Sequence, residues 1–149
     1  MATMGADPIF VDTNVLIYSA VPTAPFHAEA ATNLQELEQV GAEVWVSRQI
    51  FREFAAALTL PQSFTAALSP AVIVAAIRKF EVSFRIAEDG AKVTANLLNV
   101  LLTIPMGGKQ IHDANIVATM QAHGIKNLLT HNVADFVRYG SLITVVPLV

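Results

Sequence analysis

Short β-branched segments alternate along this chain with longer stretches whose apolar residues recur at helical spacing. Four apolar segments are predicted strands: residues 9–11, 43–46, 128–130 and 142–146. Residues 82–86 alternate apolar and polar side chains and are also predicted to be extended. This alternation favours a parallel sheet with helices on both of its faces. We therefore expect an α/β protein with three layers, α/β/α, and a mainly parallel sheet.

The predicted helices share apolar residues three or four positions apart. They cover residues 14–20, 27–40, 48–59, 71–80, 88–103 and 110–123. Thr13 or Asn14 is expected near the cap of the first helix, and Ser47 is expected to cap the third. Acidic residues are expected in the first turn of the helix over residues 88–103, where the helix dipole favours them.

Length and composition limit the class of protein. The 149 residues predict one domain, residues 1–149, and the 54% of hydrophobic residues exclude a disordered chain. No apolar run reaches the roughly 18 residues that a membrane span needs. The chain lacks cysteine, which excludes disulfides and thiolate metal sites. The first residues lack a signal-peptide pattern, so we expect a cytoplasmic protein with no membrane partner.

Four acidic residues follow predicted strands or begin the next helices: Asp12, Glu53, Asp113 and Asp135. Asp12 ends the first strand, and Asp135 comes five positions after the strand over residues 128–130. Glu53 and Asp113 lie early in mainly apolar helices. Ligands of parallel α/β folds bind at the carboxyl ends of the strands, so we expect these carboxylates to converge there.

Clustered carboxylates repel one another unless a cation compensates their charge. Oxygen ligands suit Mg²⁺ or Mn²⁺, and such a cation can activate a water molecule for attack on a phosphodiester. Taken singly, each residue also has an ordinary interpretation. Asp12 or Asp135 could cap a helix, Glu53 could pair with Arg48 or Arg52 on a solvated face, and Thr130 and Asn132 could be turn residues.

Four segments together resemble the motifs of the PIN domain family. They are residues 10–18 (FVDTNVLIY), 47–54 (SRQIFREF), 112–118 (HDANIVA) and 129–136 (LTHNVADF). They occur in the order of that family and span nearly the whole chain. In length, and in the lack of further domains, the chain is similar to VapC-type toxins of prokaryotic toxin–antitoxin modules.

The resemblance implies a metal-dependent endoribonuclease that uses Mg²⁺ or Mn²⁺. Carried over by position, Asp12, Glu53 and Asp113 would be the metal-binding acids. Asp135 would be the fourth acid, a role that it shares with Asn132 because some relatives carry Asp at that position. The alternatives within this family are a solitary ribonuclease outside a toxin–antitoxin pair and a non-catalytic binding module.

The resemblance also implies supporting residues and partners. Thr13 and Asn14 would shape the pocket, and Thr130 would hydrogen-bond a ligand acid or a water molecule. The partners implied are an RNA substrate, a second copy of the chain in a homodimer, and a cognate antitoxin. The helices over residues 27–40 and 71–80 are candidate contact surfaces.

The net charge of −3 argues against a nucleic-acid partner only weakly. Without the four clustered acids it would change from −3 to +1, so the remaining surface is not acidic. Arg48, Arg52 and Lys109 are candidates for phosphate contacts. His131 lies beside Thr130 in the sequence, and no role is predicted for it.

Two other enzyme classes place an Asp at the end of a strand. Phosphatases of the haloacid dehalogenase type need a second Asp two residues later as a general acid, and Asn14 stands there instead. A phospho-accepting receiver domain needs paired acids near its first strand. Both alternatives fit this chain poorly.

Overall fold

The computed structural model describes residues 7–149, so residues 1–6 of the predicted single domain lie outside the description. Five strands form one parallel sheet in the order β3-β2-β1-β4-β5. The strands are β1 (Ile9–Val11), β2 (Val44–Val46), β3 (Arg85–Ile86), β4 (Asn127–Thr130) and β5 (Thr144–Pro147). The predicted parallel sheet is confirmed.

Seven α-helices within residues 7–149 surround this sheet. They are α1 (Thr13–Ala20), α2 (His27–Gln39), α3 (Arg48–Leu58), α4 (Pro70–Ser83), α5 (Ala91–Thr103), α6 (Gln110–Ala122) and α7 (Val133–Phe136). A 3₁₀ turn, Val137–Tyr139, follows α7. Helix α1 packs against α2 and α3, and α5 packs against α6. The three-layer α/β/α architecture is therefore confirmed.

The core lies on both faces of the central strands. Every residue of β1 and β4 is buried, as are Val46 of β2 and Phe54 of α3. A parallel strand covered on both faces needs apolar side chains in both directions, which explains the uninterrupted Ile-Phe-Val sequence of β1. This packing fixes the residues that directly follow β1 and β4. Among residues 7–149, no helix is long and apolar enough to cross a membrane.

Several predicted boundaries are wrong by two or more residues. The strand expected over residues 142–146 begins at Thr144, and the helix expected over residues 71–80 continues to Ser83. The helix expected over residues 88–103 begins at Ala91, because Gly90 has an extended backbone at the N-cap position. Its expected acidic first turn is therefore absent, and the Glu88 carboxylate instead binds Arg48. In the segment expected to be extended over residues 82–86, Val82 and Ser83 still belong to α4. Only Arg85 and Ile86 pair with β2.

The strand order reverses beside β1. The chain moves outward from β1 to β2 and β3, and then returns to place β4 on the other side of β1. In open parallel sheets, such a reversal opens a crevice at the carboxyl ends of the two strands. Asp12 follows β1 directly, and Thr130 ends β4, so both residues lie at this crevice.

Candidate active site

Asp12 is the most deeply buried acid of the crevice. Its Oδ1 accepts a hydrogen bond from the backbone N–H of Thr13 at 2.8 Å. Its Oδ2 accepts from Asn14 Nδ2 at 3.0 Å and from Thr130 Oγ1 at 2.8 Å. Asp12 is the N-cap residue of α1, so the interpretation of Asp12 as a helix cap is confirmed, and the cap expected near Thr13 or Asn14 lies at the residue before them. One carboxylate thus both caps α1 and faces the crevice.

The hydroxyl group of Thr130 connects three segments of the site. It donates to Asp12, and it accepts hydrogen bonds from Asn14 Nδ2 at 3.2 Å and from the backbone N–H of Asn132 at 3.0 Å. Asn14 Oδ1 in turn accepts from the backbone N–H of His131 at 2.9 Å. These bonds hold the end of β4 against the start of α1.

Glu53 lies on α3 and is half-buried. Its Oε2 is 3.4 Å from the hydroxyl of Thr13, and its Oε1 is 3.4 Å from Gln49 Nε2. Gln49 stands one helical turn earlier on the same face. Its amide also donates to the carbonyl oxygen of His112 at 2.8 Å and accepts from Asn115 Nδ2 at 2.9 Å. Gln49 therefore holds Glu53 beside the first turn of α6.

Asp113 and Asp135 lie nearer the rim. Asp113 is half-buried in the first turn of α6, and Asp135 is exposed on α7. The N-cap position of α7 is occupied by Asn132. The interpretation of Asp135 as a helix cap is therefore wrong, because Asp135 lies inside the helix.

The electrostatics show that the four acids share one environment. Burial raises the pKa of Asp12, and the charge of Asp135 raises it further. Burial and the charge of Asp12 raise the pKa of Glu53. Burial raises the pKa of Asp113 to about 6, with further contributions from the other three acids. We call Asp12, Glu53, Asp113 and Asp135 the acid cluster.

The donor set of the acid cluster fits a hard divalent cation. All of its side-chain donors are oxygen atoms, and burial with mutual repulsion disfavours three of the carboxylates in their charged form. Within residues 7–149, however, no three His, Asp or Glu side chains are placed to hold one ion together. The acids converge on one crevice without forming a closed coordination sphere.

The three predicted phosphate contacts lie in different surroundings. Arg48 forms a bidentate ion pair with Glu88, in which its Nε and Nη2 donate to the two carboxylate oxygens at 2.7 and 2.9 Å. Its Nη1 lies 3.7 Å from Oε2 of Glu81. Arg52 is exposed next to Glu53 and lines a surface cavity of about 440 Å³ between α3 and α6. Lys109 is exposed at the N-cap position of α6. The guanidinium of Arg48 is thus already engaged by carboxylates, which come from outside α3.

Two polar residues of the site were missed in the sequence analysis, namely Gln49 and Asn115. Gln49 lies four positions before Glu53, the spacing that brings two side chains together on one helix face. Asn115 lies in the predicted motif that contains Asp113, but its contact with Gln49 joins residues 66 positions apart in the chain. Local spacing indicates the first contact but carries no information about the second.

A family comparison decides between the enzyme classes considered above. The model of the PIN domain family matches residues 9–142. This chain belongs to the PIN domain family. The haloacid dehalogenase and receiver alternatives are therefore wrong. No curated protein sequence matches the chain.

Solved structures share the fold at low sequence identity. VapBC-1 of nontypeable Haemophilus influenzae is 18% identical, with a TM-score of 0.66 over 95% of this chain and 98% of that chain. A toxin–antitoxin complex from Klebsiella pneumoniae is 20% identical, with a TM-score of 0.65 over 95% and 98% of the two chains. VapC20 of Mycobacterium tuberculosis is described as a toxin that cleaves the sarcin–ricin loop. It is 18% identical, with a TM-score of 0.61 over 85% of this chain and 92% of that chain.

Proposed function

We propose that this protein is an endoribonuclease that hydrolyses RNA phosphodiester bonds with the aid of Mg²⁺ or Mn²⁺. The observation that carries the proposal is the acid cluster at the strand-order reversal, where carboxylates with raised pKa values share one crevice. No role in packing requires these acids to lie together. A divalent cation would offset their repulsion and, when bound, would activate water and offset the charge that develops on the phosphate.

In this proposal, hydrogen bonds fix two of the metal ligands, Asp12 and Glu53, whereas Asp113 and Asp135 are less constrained. Asp12 is held by three hydrogen bonds, so it would define the position of the cation. Glu53 is oriented by Thr13 and Gln49. Asp113 and Asp135 stand nearer the solvent and would supply the remaining carboxylate ligands of the cation. Asn132, exposed beside Asp135, shares the fourth position in this proposal.

The RNA backbone would lie over the rim of the crevice. Arg52 flanks the acid cluster on the α3 side, and Lys109 flanks it at the start of α6. Both are exposed, and no other side chain among residues 7–149 forms an ion pair with either. Arg48 is a weaker candidate because Glu88 already binds its guanidinium. We therefore propose Arg52 and Lys109 as the phosphate contacts.

The nuclease proposal is tested by incubating labelled RNA with the purified protein in Mg²⁺, in Mn²⁺ and in EDTA. We expect cleavage only with a metal ion, and loss of cleavage in Asp12→Asn and Asp113→Asn variants that remain folded by circular dichroism. Asp89→Asn is a matched control, since Asp89 is exposed outside the cluster. Cleavage that persists in EDTA or in both cluster variants would contradict the proposal. A protein that cuts no RNA and binds no metal would be a non-catalytic binding module.

We also propose that the nuclease is the toxin of a VapBC-like pair, because the structures that share its fold include toxin–antitoxin complexes. The proposed antitoxin surface lies between α2 and α4, where Leu34, Ala76 and Phe80 line a cavity of about 630 Å³. The homodimer and the cytoplasmic location stay predictions. If the proposal is right, expression of the chain alone arrests growth and the Asp113→Asn variant does not. Normal growth with an active enzyme would indicate a solitary ribonuclease.

A further inference from the structure

Four aromatic rings form a patch on one side of the acid cluster. The aromatic patch consists of Tyr18, Phe26, Phe64 and His131. The centroids of the Phe26 and His131 rings are 4.5 Å apart, and the two ring planes are tilted by 38°. The centroid of the Tyr18 ring lies 5.6 to 6.3 Å from the centroids of the other three rings. The rings come from four separate segments, namely α1, the turn before α2, the loop after α3 and the residue after β4.

The aromatic patch adjoins the acid cluster through the backbone and through α1. His131 directly follows Thr130, and the backbone N–H of His131 donates to Asn14. Asn14 also donates to Asp12, so two hydrogen bonds connect His131 to the most buried acid. Tyr18 lies four residues after Asn14, on the same face of α1. A polynucleotide with a phosphate at the acid cluster would therefore place a neighbouring nucleotide over this patch.

Phe26 has properties that core packing does not explain. It is the one residue other than glycine with a positive φ among residues 7–149, at +58°. This left-handed conformation is strained for an aromatic residue, and such strain is concentrated at ligand sites. Phe26 also keeps 38% of its surface exposed, although its ring contacts two others. The backbone thus holds an aromatic ring at the surface beside the site.

Hydrogen bonds to backbone carbonyl oxygens hold the segments that carry Tyr18 and Phe64, whereas ring contacts orient His131. Thr23 Oγ1 donates to the carbonyl oxygen of Phe64 at 2.7 Å, which ties the loop after α3 to the turn before α2. His27 Nδ1 lies 2.7 Å from the carbonyl oxygen of Tyr18. Within the described part of the chain, the buried Nδ1 of His131 has no hydrogen-bond partner, so aromatic contacts set the orientation of that ring.

We propose that the aromatic patch is a subsite for one unpaired nucleobase of the RNA, next to the phosphodiester that is cut. This inference rests on the proposed ribonuclease function and deepens it. Bases present a flat π-face that stacks on aromatic side chains whatever their sequence. In a duplex, both faces of a base are covered by its neighbours. The subsite therefore selects a single-stranded or looped RNA without specifying a base.

The test uses a short single-stranded RNA that the protein cuts, with an abasic nucleotide placed at each position beside the cut in turn. We expect the wild-type kcat/KM to fall about tenfold at one position, the loss expected for one stacked base. Phe26→Leu keeps an apolar side chain but removes the ring. We expect it to lose about as much on the intact RNA and to be insensitive to the abasic position.

Two further variants separate the ring from general packing effects. Phe26→Trp keeps an aromatic face and should retain the sensitivity to the abasic position. Phe84→Leu is the matched control, because Phe84 stacks on Phe80 just before β3, at the opposite end of the sheet. It should behave like the wild type. The wild-type substrate series tests the subsite even if Phe26→Leu fails to fold.

The subsite is overturned if the wild type tolerates an abasic nucleotide at every position, or if Phe26→Leu shows the same sensitivity as the wild type. Those outcomes leave the ribonuclease function intact. If the wild type cuts no RNA, the proposed function fails separately. Fluorescence anisotropy with a fluorescein-labelled single-stranded RNA then decides the subsite. Binding weakened by both the abasic nucleotide and Phe26→Leu supports it, and absence of binding overturns it.

Discussion

The Thr130 hydroxyl determines the geometry around the most buried acid. It is fully buried, and it makes one hydrogen bond as a donor and two as an acceptor. A buried polar group that loses its partner costs more free energy than the bond itself contributes. The position of Asp12 therefore depends on a side chain that lies 118 residues away in the sequence.

Replacement of Thr130 by Val keeps the shape of the side chain and removes the hydroxyl. Asp12, Asn14 and the N–H of Asn132 each lose a bond. We expect the free energy of unfolding to fall by about 1–3 kcal/mol in metal-free buffer, measured by urea denaturation. Thr130→Ser keeps the hydroxyl and should lose less. A Thr130→Val protein as stable as the wild type would show that these bonds contribute nothing.

Asp113 illustrates the free-energy cost of the acid cluster without metal. Its folded-state pKa of about 6 lies above the ordinary value of 3.8, so folding disfavours its ionised form. The metal-free fold therefore loses stability as the pH rises through this range, and keeps it where Asp113 is protonated. The dipole of α6 offsets only part of this effect, because it weakens beyond the first residues of a helix.

Asp113→Asn should accordingly stabilise the metal-free protein at pH 7.5. After discounting for the partial exposure of the side chain, we expect about 1 kcal/mol, or a rise in Tm of about 2–4 °C. The gain should shrink towards zero as the pH is lowered to about 4, where the wild-type carboxyl group is also protonated. Thermal unfolding followed by circular dichroism measures this difference. A lower Tm in the variant at pH 7.5 would contradict the interpretation.

Helices α3 and α6 carry the proposed phosphate contacts. Arg52 and Lys109 flank the acid cluster from these two elements. Arg78, an exposed arginine on α4, provides a matched control. Arg52→Gln and Lys109→Gln should each weaken the binding of single-stranded RNA and reduce the slope of log K against log salt by about 0.7. Fluorescence anisotropy at several salt concentrations measures both effects. Equal slopes in these variants and in Arg78→Gln would contradict the assignment.

Among the helices and strands, the sequence pattern correctly predicted those whose own side chains show which face is buried. The β-branched sequence of β1 and the apolar stripe of α3 directly reflect burial, so their positions were predicted correctly. The start of α5 was not, because Gly90 has an extended backbone at the N-cap position and leaves Glu88 outside the helix, where it binds Arg48 of another element. Helix propensity carries no information about such a tertiary contact.

In the candidate site, too, features that depend on local pattern could be predicted, and features that depend on tertiary contacts could not. The four acids could be placed at one edge of the sheet because parallel strands share their carboxyl ends. The contact between Gln49 and Asn115 and the strained backbone of Phe26 depend on how distant segments meet. The ring contacts of His131 also join distant segments, so the sequence predicted no role for it.

For the whole molecule, the strand order explains why one crevice collects the residues of the acid cluster. The reversal beside β1 brings the ends of β1 and β4 together, and α3 and α6 add Glu53 and Asp113 from neighbouring elements. The sheet supplies a rigid base, while Asp113 and Asp135 remain partly or fully exposed. Such an arrangement keeps clustered charge accessible to a cation from solvent.

The most direct measurement is a calorimetric titration of Mn²⁺ into the purified protein at pH 7.5. We predict that the wild type and the Asp89→Asn control bind the ion with equal affinity. Asp12→Asn and Asp113→Asn should bind it at least about tenfold more weakly, a difference of about 1.4 kcal/mol. Absence of binding, or an affinity unchanged by both replacements, would contradict the assignment of the acid cluster as a metal site.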